Sequence, residues 1–483
     1  MATSILWHDY ETWGVRPSVD FPAQFAAIRT DSDLNIIENS PIINWACKVP
    51  HDYLPHPEAC IVTGLSPLVI NQTGMSEPFF ADKIHQQMSQ ANTCVAGYNS
   101  IKFDDEVTRH LFYRNFYPVY DREFKNDNTR WDIIDLVRAC YALRPEGINW
   151  PLYEDGRPCF KLEQLTAAND ITHASAHDAL SDVYATIAVA KLIKQKQTRL
   201  YEFYWQLRNK HIVNRYLQRY QQTILVYVSG YISAKSGCCT LIMPICPHPK
   251  NKNATLCIDL NRPIDAFLAN DAETLSQLLF HKSEQVNTEK RPSIYSVAAN
   301  KCPFVAPLNT LNPQQSEIFK LDIEACKQNF EMLQNASNLV SLCQQVFNVN
   351  IEKETNNNVD QGLYTTSFPQ PADTNLMKTV RHTEPEQLIA LQGKFENEIY
   401  NKILFRYRAR HFPHLLAMDE IDKWQQHLQF RFSVGKKEEC LSLEEYLNSI
   451  EELMAQYQQN PKKIGLLNKL KRYAMHVTGI ETF

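Results

Sequence analysis

Residues 4–14 of the chain read Ser-Ile-Leu-Trp-His-Asp-Tyr-Glu-Thr-Trp-Gly, a short apolar run that ends in two acidic residues and a glycine. β-Branched and aromatic residues followed by a turn residue are typical of a strand. Alternate side chains of a strand share a face, so Asp9 and Glu11 point the same way. Neighbouring carboxylates repel unless a positive charge lies between them. Either a Lys or Arg side chain or a divalent cation such as magnesium can supply that charge.

The composition is that of an ordinary globular protein of about three domains. The chain has 483 residues, of which 44% are hydrophobic and 21% charged. Its net charge is −5, so binding to nucleic acid must depend on a local basic surface. No glycine-rich dinucleotide motif or P-loop occurs, which argues against enzymes with nucleotide cofactors.

The cysteine spacing and the short apolar runs bear on where in the cell the protein is located. Thirteen cysteines occur without a C-x-x-C spacing, which predicts neither a zinc site nor a regular disulfide framework. No apolar run reaches the roughly 18 residues that a membrane span needs, and no signal peptide is recognisable. These features predict a cytoplasmic protein with reduced thiols and no membrane contact.

The first 195 residues alternate strand-like and helical patterns, which predicts an α/β domain. The first strands follow one another closely enough to be antiparallel, so the sheet is expected to be mixed. The strand candidates are 5–11, 23–30, 42–49 and 93–98, and the helix candidates are 77–90, 104–117, 132–142, 162–168 and 179–194.

The pattern changes after residue 198, where a basic helix and several β-type runs predict a small barrel or sheet with helical additions. An asparagine-rich tract at 350–360 is the expected linker, and the residues beyond it are mostly helical, with a capping-box pattern at Ser442 and Glu445. We therefore expect domains at 1–195, 198–350 and 351–483. The predicted elements after residue 198 are helix 199–219, strands 223–231, 239–243 and 254–259, and helices 316–333, 339–347, 385–410, 418–432 and 460–478.

Two further acidic segments extend the first pair. Residues 98–104 follow an apolar run and place Asp104 near a helix start, where a carboxylate is favoured. Taken alone, Asp104 is more simply a helix cap, and Asp105 competes for the same role. Asp182 lies opposite the apolar stripe of the helix that follows residue 178. His177 can share a reaction centre with Asp182 only if it lies on the preceding loop, and Asp178 is an alternative cap.

The order of these segments resembles the DEDD exonuclease superfamily. Its members carry D-x-E on a first strand, an Asn–Asp segment before a helix, and in the histidine subclass an H-x-x-x-x-D motif late in the domain. Residues 21–31, 103–109, 140–151, 407–410 and 412–413 further resemble bacterial exonuclease I. The resemblance spans nearly the whole chain and is densest in the first 195 residues.

The resemblance implies an α/β RNase-H-like exonuclease domain with a mixed sheet, a small SH3-like β-barrel and an all-α C-terminal domain. It also implies processive, magnesium-dependent 3′→5′ degradation of single-stranded DNA to 5′-mononucleotides. Two magnesium ions are expected in the site, and manganese is expected to substitute. The resemblance further implies a monomer that acts in mismatch repair and recombination. Its expected partner is the acidic C-terminal tail of the single-stranded-DNA-binding protein, received near Arg144, helix 208–219 and the C-terminal domain.

The resemblance also assigns roles to single residues. Asp9, Glu11 and Asp182 match the metal ligands, with Asp104 completing the set and preferred to Asp105 on the motif match. His177 matches the general base, whose pKa near neutrality suits proton transfer from a metal-bound water.

A DNA groove is expected between residues 109 and 144, where arginines and aromatic residues interleave as a single-strand groove requires. Acids are equally frequent there, and aromatic residues at helical spacing are more often core. Phe124 and Lys161 stand where the family is expected to have an aromatic residue and an arginine, and Lys161 cannot form a bidentate phosphate clamp. The expected nucleic-acid contacts are Glu11, Arg109, Tyr120, Phe124, Arg138, Arg144, Lys161 and His177, with His248, Lys250, Lys252 and Lys301 extending the groove.

Two alternatives are compatible with the sequence. A DEDD-type RNase or proofreading exonuclease keeps the chemistry and changes the substrate, although the additional domains argue against a compact RNase. A non-catalytic single-strand-binding repair scaffold is expected to have lost an acid or the histidine, whereas all five residues are present.

Overall fold

The computed structural model describes residues 3–173, 178–269, 271–280, 291–348, 358–434 and 440–479. A five-stranded sheet of order β3-β2-β1-β4-β5 forms the centre of the first domain. The first three strands pair antiparallel, whereas β4 and β5 extend the sheet in parallel. The predicted mixed sheet is confirmed. The strands are β1 Ser4–Thr12, β2 Pro22–Thr30, β3 Ile43–Ala46, β4 Thr93–Gly97 and β5 Thr129–Asp132.

The described residues of this domain form seven helices, of which α7 packs across β1 and β2. The five predicted helices are present within three residues at each end. The sequence analysis missed α1, α2 and β5, because four to seven residues are too few to display a period. The helices are α1 Pro57–Thr63, α2 Pro67–Thr73, α3 Glu77–Met88, α4 Asp104–Arg114, α5 Ile134–Leu143, α6 Leu162–Ala168 and α7 Ala179–Lys196.

A second five-stranded sheet, all antiparallel and of order β10-β6-β7-β8-β9, forms the barrel domain. The expectation of one helix over 199–219 was wrong: two helices replace it, because the Asn209 side chain accepts from His211 N and caps the second. Likewise 316–333 forms two helices, the second capped by Asp322. The strands are β6 Leu225–Val228, β7 Cys239–Pro247, β8 Ala254–Asp259, β9 Ile294–Ala298 and β10 Phe304–Pro307. The helices are α8 Thr198–Gln206, α9 Lys210–Leu217, α10 Asp265–Ala269, α11 Ala272–Phe280, α12 Pro313–Ile318, α13 Ile323–Gln334 and α14 Leu339–Asn348.

The last domain is helical, as predicted, and the capping box at Ser442 and Glu445 is formed. Most of the expected linker, residues 350–357, lies outside the described residues. The segment expected to be one helix over 385–410 is a 3-10 helix, Pro385–Leu391, followed by an α-helix. The α-helices are α15 Pro371–His382, α16 Glu398–His411, α17 Met418–Val434, α18 Leu443–Gln456 and α19 Pro461–Thr478, and a 3-10 helix at Val359–Tyr364 precedes them.

Both additional domains pack on the first. One continuous core joins Trp7 and Trp131 of the first sheet to Phe304 of the barrel. A separate core joins Phe21 to Tyr473 on α19. Among the described residues, no helix combines the length and the apolar character that crossing a membrane requires.

A buried ion cluster ties the helical domain to the first domain. Arg410 Nε and Nη2 lie 2.9 and 2.7 Å from the two carboxylate oxygens of Asp52. Arg410 Nη1 lies 3.0 Å from Asp360. Burial alone would raise the pKa of Asp52, but the Arg410 charge holds that pKa well below its usual value. The cluster therefore stabilises the folded protein only while Asp52 is ionised.

We expect Asp52→Asn to lower the free energy of unfolding by about 3 kcal/mol at pH 7, because it leaves the buried Arg410 undercompensated. The pKa of Asp52 is depressed on folding, so its contribution is complete above the ordinary value of 3.8 and is lost as the pH falls below it. Urea unfolding at pH 7 and at decreasing pH measures this. Asp33→Asn is the control, because Asp33 pairs with Lys194 in solvent and its loss should cost less than about 1 kcal/mol. Equal losses in both variants contradict the prediction.

Candidate active site

Three acids from two elements converge beside the central strand. Asp9 and Glu11 lie on one face of β1, and Asp182 lies in the first turn of α7, which packs on that strand. One carboxylate oxygen from each of the three lies within 4.8 Å of the other two. Hard oxygen ligands at this spacing fit a divalent cation of the magnesium type.

The electrostatics of the cluster also favour a cation. Burial, followed by the charges of Asp104, Glu11 and Asp182, raises the pKa of Asp9 well above its ordinary value. Burial and then the charges of Asp182 and Asp178 raise the pKa of Glu11 to about 8. Among the described residues, no Lys or Arg charge offsets the rise in the pKa of Glu11, which favours the divalent cation over the Lys or Arg alternative.

Asp104 is held against the catalytic strand by a backbone contact. The turn before α4 is organised by Asp132, whose carboxylate accepts from Asn99 N at 2.8 Å and Ile101 N at 3.1 Å. Asp104 is the first residue of α4, and its Oδ1 accepts from Tyr10 N at 3.1 Å. Asp104 is therefore not the cap of α4, because it lies inside the helix and its side chain bonds to β1. Burial and the Asp105 charge raise the pKa of Asp104 well above its ordinary value.

Asp105 has a different role from its neighbour. Its two oxygens lie 2.6 Å from Arg122 Nη2 and 2.5 Å from Arg130 Nη1, in the protein interior. Burial opposes ionisation, but these arginines hold the pKa of Asp105 below its usual range. The structure thus separates two acids that sequence spacing could not, with Asp104 beside the acid cluster and Asp105 in an internal ion pair.

Of the two histidines that shortly precede α7 in the sequence, the structure describes one. His177 lies outside the described residues. His173, which the sequence analysis did not single out, places Nε2 2.6 Å from Asp182 Oδ1 and Nδ1 3.3 Å from Thr166 Oγ1. The available signal was a second histidine four residues before His177. Asp178 precedes α7 without capping it and instead accepts from Gln24 Nε2 at 3.1 Å.

The expected DNA contacts occupy different environments. The Tyr120 ring lies 5.3 Å from the Arg109 guanidinium, and Phe124 is 62% exposed. Arg138 pairs with Asp135 at 2.6 Å, whereas Lys161 is 62% exposed and 4.0 Å from Glu163. Arg144 is half-buried and bonds to the backbone of Leu143. From the barrel, Lys301 interacts electrostatically with Glu106 and Arg109, and His248 contacts the Phe347 ring.

Several arginines of the same segment belong to the interior. Arg114 donates to Glu77 Oε1 at 2.7 Å, and both side chains are buried. Arg122 and Arg130 are likewise buried and hold Asp105. The interleaving of arginine and aromatic residues therefore reflects internal ion pairs as well as a surface.

Comparison with known proteins gives one consistent match over the whole chain. The family models for exonuclease, the exonuclease I SH3-like domain and the exonuclease I C-terminal domain match residues 6–190, 208–349 and 357–477. Exodeoxyribonuclease I of Haemophilus influenzae is 42% identical over 99% of both chains.

The solved structures agree with this match. Escherichia coli exonuclease I in complex with a dA16 oligonucleotide has a TM-score of 0.93 at 40% identity, covering 98% of this chain and 100% of that one. The SSB/exonuclease I structure with an inhibitor has a TM-score of 0.90 at 40% identity, covering 99% and 100%. The α/β exonuclease, SH3-like and helical C-terminal architecture expected from the sequence is confirmed.

The two neighbouring acids of α4 are expected to respond oppositely to neutralisation. Asp105→Asn should lower the free energy of unfolding by about 3 kcal/mol, because it leaves two buried arginines undercompensated. Asp104→Asn should cause no loss or a small gain, because it removes a carboxylate whose ionisation is opposed by burial and by like charge, while the amide oxygen still accepts from Tyr10 N. Urea unfolding of both variants in EDTA measures this. Similar losses in the two variants contradict the assignment.

Proposed function

The chain belongs to the exonuclease I family, and from this membership we propose that it degrades single-stranded DNA processively from the 3′ end to 5′-mononucleotides. The observation that carries the proposal is the convergence of Asp9, Glu11 and Asp182 in a chain that matches the family over all its domains. Such a cluster suits hydrolysis of a phosphodiester, where charge develops on the phosphate and the leaving oxygen. We propose domain boundaries at 1–195, 198–350 and 351–483, which include the residues that the structure does not describe.

The exonuclease family implies a divalent metal, and we propose magnesium, as two ions, with manganese able to substitute. Asp9, Glu11 and Asp182 would hold the metal, with Asp104 completing the set. Bound metal supplies a nucleophile at neutral pH, by lowering the pKa of water, and neutralises charge on the reacting phosphate. The raised pKa values of Asp9 and Glu11 support this assignment, because a cation offsets both the burial and the neighbouring negative charges that raise them.

We propose His177 as the general base that accepts the proton of the attacking water. The support is its motif position five residues before Asp182, together with the suitability of imidazole for proton transfer near neutral pH. His173 bonds to Asp182 at 2.6 Å, and we assign it no proton transfer.

We propose that the strand is bound by cations for its phosphates and aromatic faces for its bases. The Tyr120 ring lies over the Arg109 guanidinium, and the exposure of Phe124 suits base stacking. Glu11 and His177 would border the scissile nucleotide. The other proposed contacts are Arg138, Arg144 and Lys161, with His248, Lys250, Lys252 and Lys301 of the barrel extending the groove.

We propose that the chain acts as a cytoplasmic monomer in mismatch repair and recombination, with the single-stranded-DNA-binding protein as partner. The similar SSB/exonuclease I structure supports that partner. An acidic tail needs exposed cations, and Lys210, Arg215 and Arg219 are exposed on and just after α9. The proposed receiving surface comprises these residues, Arg144 and the C-terminal domain.

The test uses a 5′-labelled single-stranded DNA oligomer with magnesium or with EDTA. Wild-type protein should produce a magnesium-dependent ladder that shortens from the 3′ end, with little action on duplex or RNA. Asp182→Asn should reduce the rate by about three orders of magnitude, because it removes a metal ligand, while DNA binding is retained. Asp33→Asn, on the exposed surface, should cleave normally. Retained binding without nucleotide release in the wild type contradicts the proposal and favours a binding scaffold.

A further inference from the structure

Arg109 on α4 is surrounded by acceptors of the protein itself. Its Nε and Nη2 atoms lie 2.9 and 3.1 Å from the two carboxylate oxygens of Glu123. Its Nη1 atom donates to Glu106 Oε1 at 2.5 Å and to the Tyr364 hydroxyl at 3.3 Å. A guanidinium has five N–H donors, and these contacts engage four of them. Arg109 therefore has no complete edge left with which to grip a phosphate.

Glu123 occupies the Arg109 edge formed by Nε and Nη2. Two parallel N–H···O contacts from that edge are the geometry by which arginine binds either a carboxylate or a phosphate. The two side chains are nearly buried, with 7% of Arg109 and 8% of Glu123 exposed. Glu123 thus has the position and the charge of a bound phosphate.

The backbone places Glu123 within the proposed DNA surface. It ends the short 3-10 helix Asp121–Glu123, between Tyr120 and the exposed Phe124. The Tyr120 ring lies over the same guanidinium that Glu123 binds. A strand stacked on these aromatic rings would bring its phosphates close to the Arg109–Glu123 pair.

The cluster around Glu123 carries one more positive than negative charge. Asp105 compensates Arg122 and Arg130, and Arg130 Nε also lies 3.2 Å from Glu123. Lys301 adds a further positive charge from the barrel. Replacing Glu123 by a neutral residue would increase this local excess of positive charge beside the proposed groove. The cations of this cluster are Arg109, Arg122, Arg130 and Lys301, and the anions are Asp105, Glu106 and Glu123.

We propose that Glu123 limits the affinity of the protein for single-stranded DNA by occupying the edge of Arg109 that a backbone phosphate would take. A phosphate must displace Glu123 to reach Arg109. The net free energy of the new contact is therefore reduced by the free energy needed to break the Arg109–Glu123 pair. A contact of this kind exchanges readily, which suits a strand that moves through the site one nucleotide at a time. The inference rests on the proposed single-stranded DNA substrate.

The test compares Glu123→Gln with Asp121→Asn, which removes the same charge two residues away, where Asp121 pairs with the exposed Lys125. Binding of a fluorescent oligothymidylate is measured in EDTA over a series of salt concentrations. Glu123→Gln should bind about fivefold more tightly, the net effect of about one hydrogen bond gained, because the phosphate no longer has to displace a charged carboxylate. For this variant, the slope of the logarithm of the binding constant against the logarithm of the salt concentration should become more negative by about 0.7. That is the increment for one added phosphate contact with a single strand. Asp121→Asn should change affinity less than about twofold.

Unchanged or weaker binding by a folded Glu123→Gln overturns the inference, because Glu123 then only separates two buried arginines. If Glu123→Gln does not fold, Glu123→Asp keeps the negative charge but is one methylene too short to hold both Nε and Nη2 of Arg109 in the same position, and it should tighten binding by a smaller factor. Unchanged or weaker binding by a folded Glu123→Asp then overturns the inference. Wild-type cleavage is measured beside each variant. Failure of the wild type to cleave single-stranded DNA refutes the proposed function, whereas normal cleavage without tighter binding by a folded variant refutes only the role of Glu123.

Discussion

Repulsion between carboxylates is the constraint on which the rest of this structure depends. Asp9, Glu11 and Asp182 bring oxygens within 4.8 Å of one another, and Asp104 adds a fourth charge. Mutual repulsion would drive these carboxylates apart if their side chains were free to move. The surrounding fold must therefore hold them in place. Its base is β1, which is paired on both sides and whose Trp7 is buried in the largest core. The helix α7 packs across that strand and supplies Asp182.

The first turn of α4 connects this cluster to the other domains. Asp104 lies against β1, Asp105 binds Arg130, and Glu106 accepts from the Tyr364 hydroxyl. Arg130 in turn donates to the backbone of Asn300 in the barrel at 2.7 Å. Three consecutive acids thus make three different contacts. The first contacts the strand of the acid cluster, the second is linked to the barrel through Arg130, and the third contacts the segment that leads into the helical domain. The positions of both additional domains are therefore coupled to the residue that lies beside the acid cluster.

The sequence predicts the parts of this arrangement that depend on local patterns. Strand β1, the mixed sheet and the capping box at Ser442 follow from periodicity and cap chemistry, and the convergence of acids was expected from the order of the motifs. Spacing did not separate Asp104 from Asp105, since both occupy one helical turn. The family motif favoured Asp104, and in the structure the partners Tyr10 and Arg130 distinguish the two acids. His173 was missed for the same reason, because its contact with Asp182 is tertiary.

The arginines show why composition is a poor measure of a DNA surface. Arg114, Arg122 and Arg130 lie within a segment that looks basic and aromatic, yet each compensates a buried acid. Arg109, which lies against the Tyr120 ring, is likewise paired with Glu106 and Glu123. The positive charge next to Tyr120 is therefore largely compensated. A chain with a net charge of −5 can still bind a polyanion at such a surface if stacking supplies much of the energy, because aromatic faces act on every base regardless of charge. Binding that depends on stacking and on a few exchangeable phosphate contacts is less sensitive to salt than binding by a dense basic patch. An enzyme that must hold a strand and still let it advance gains from that balance.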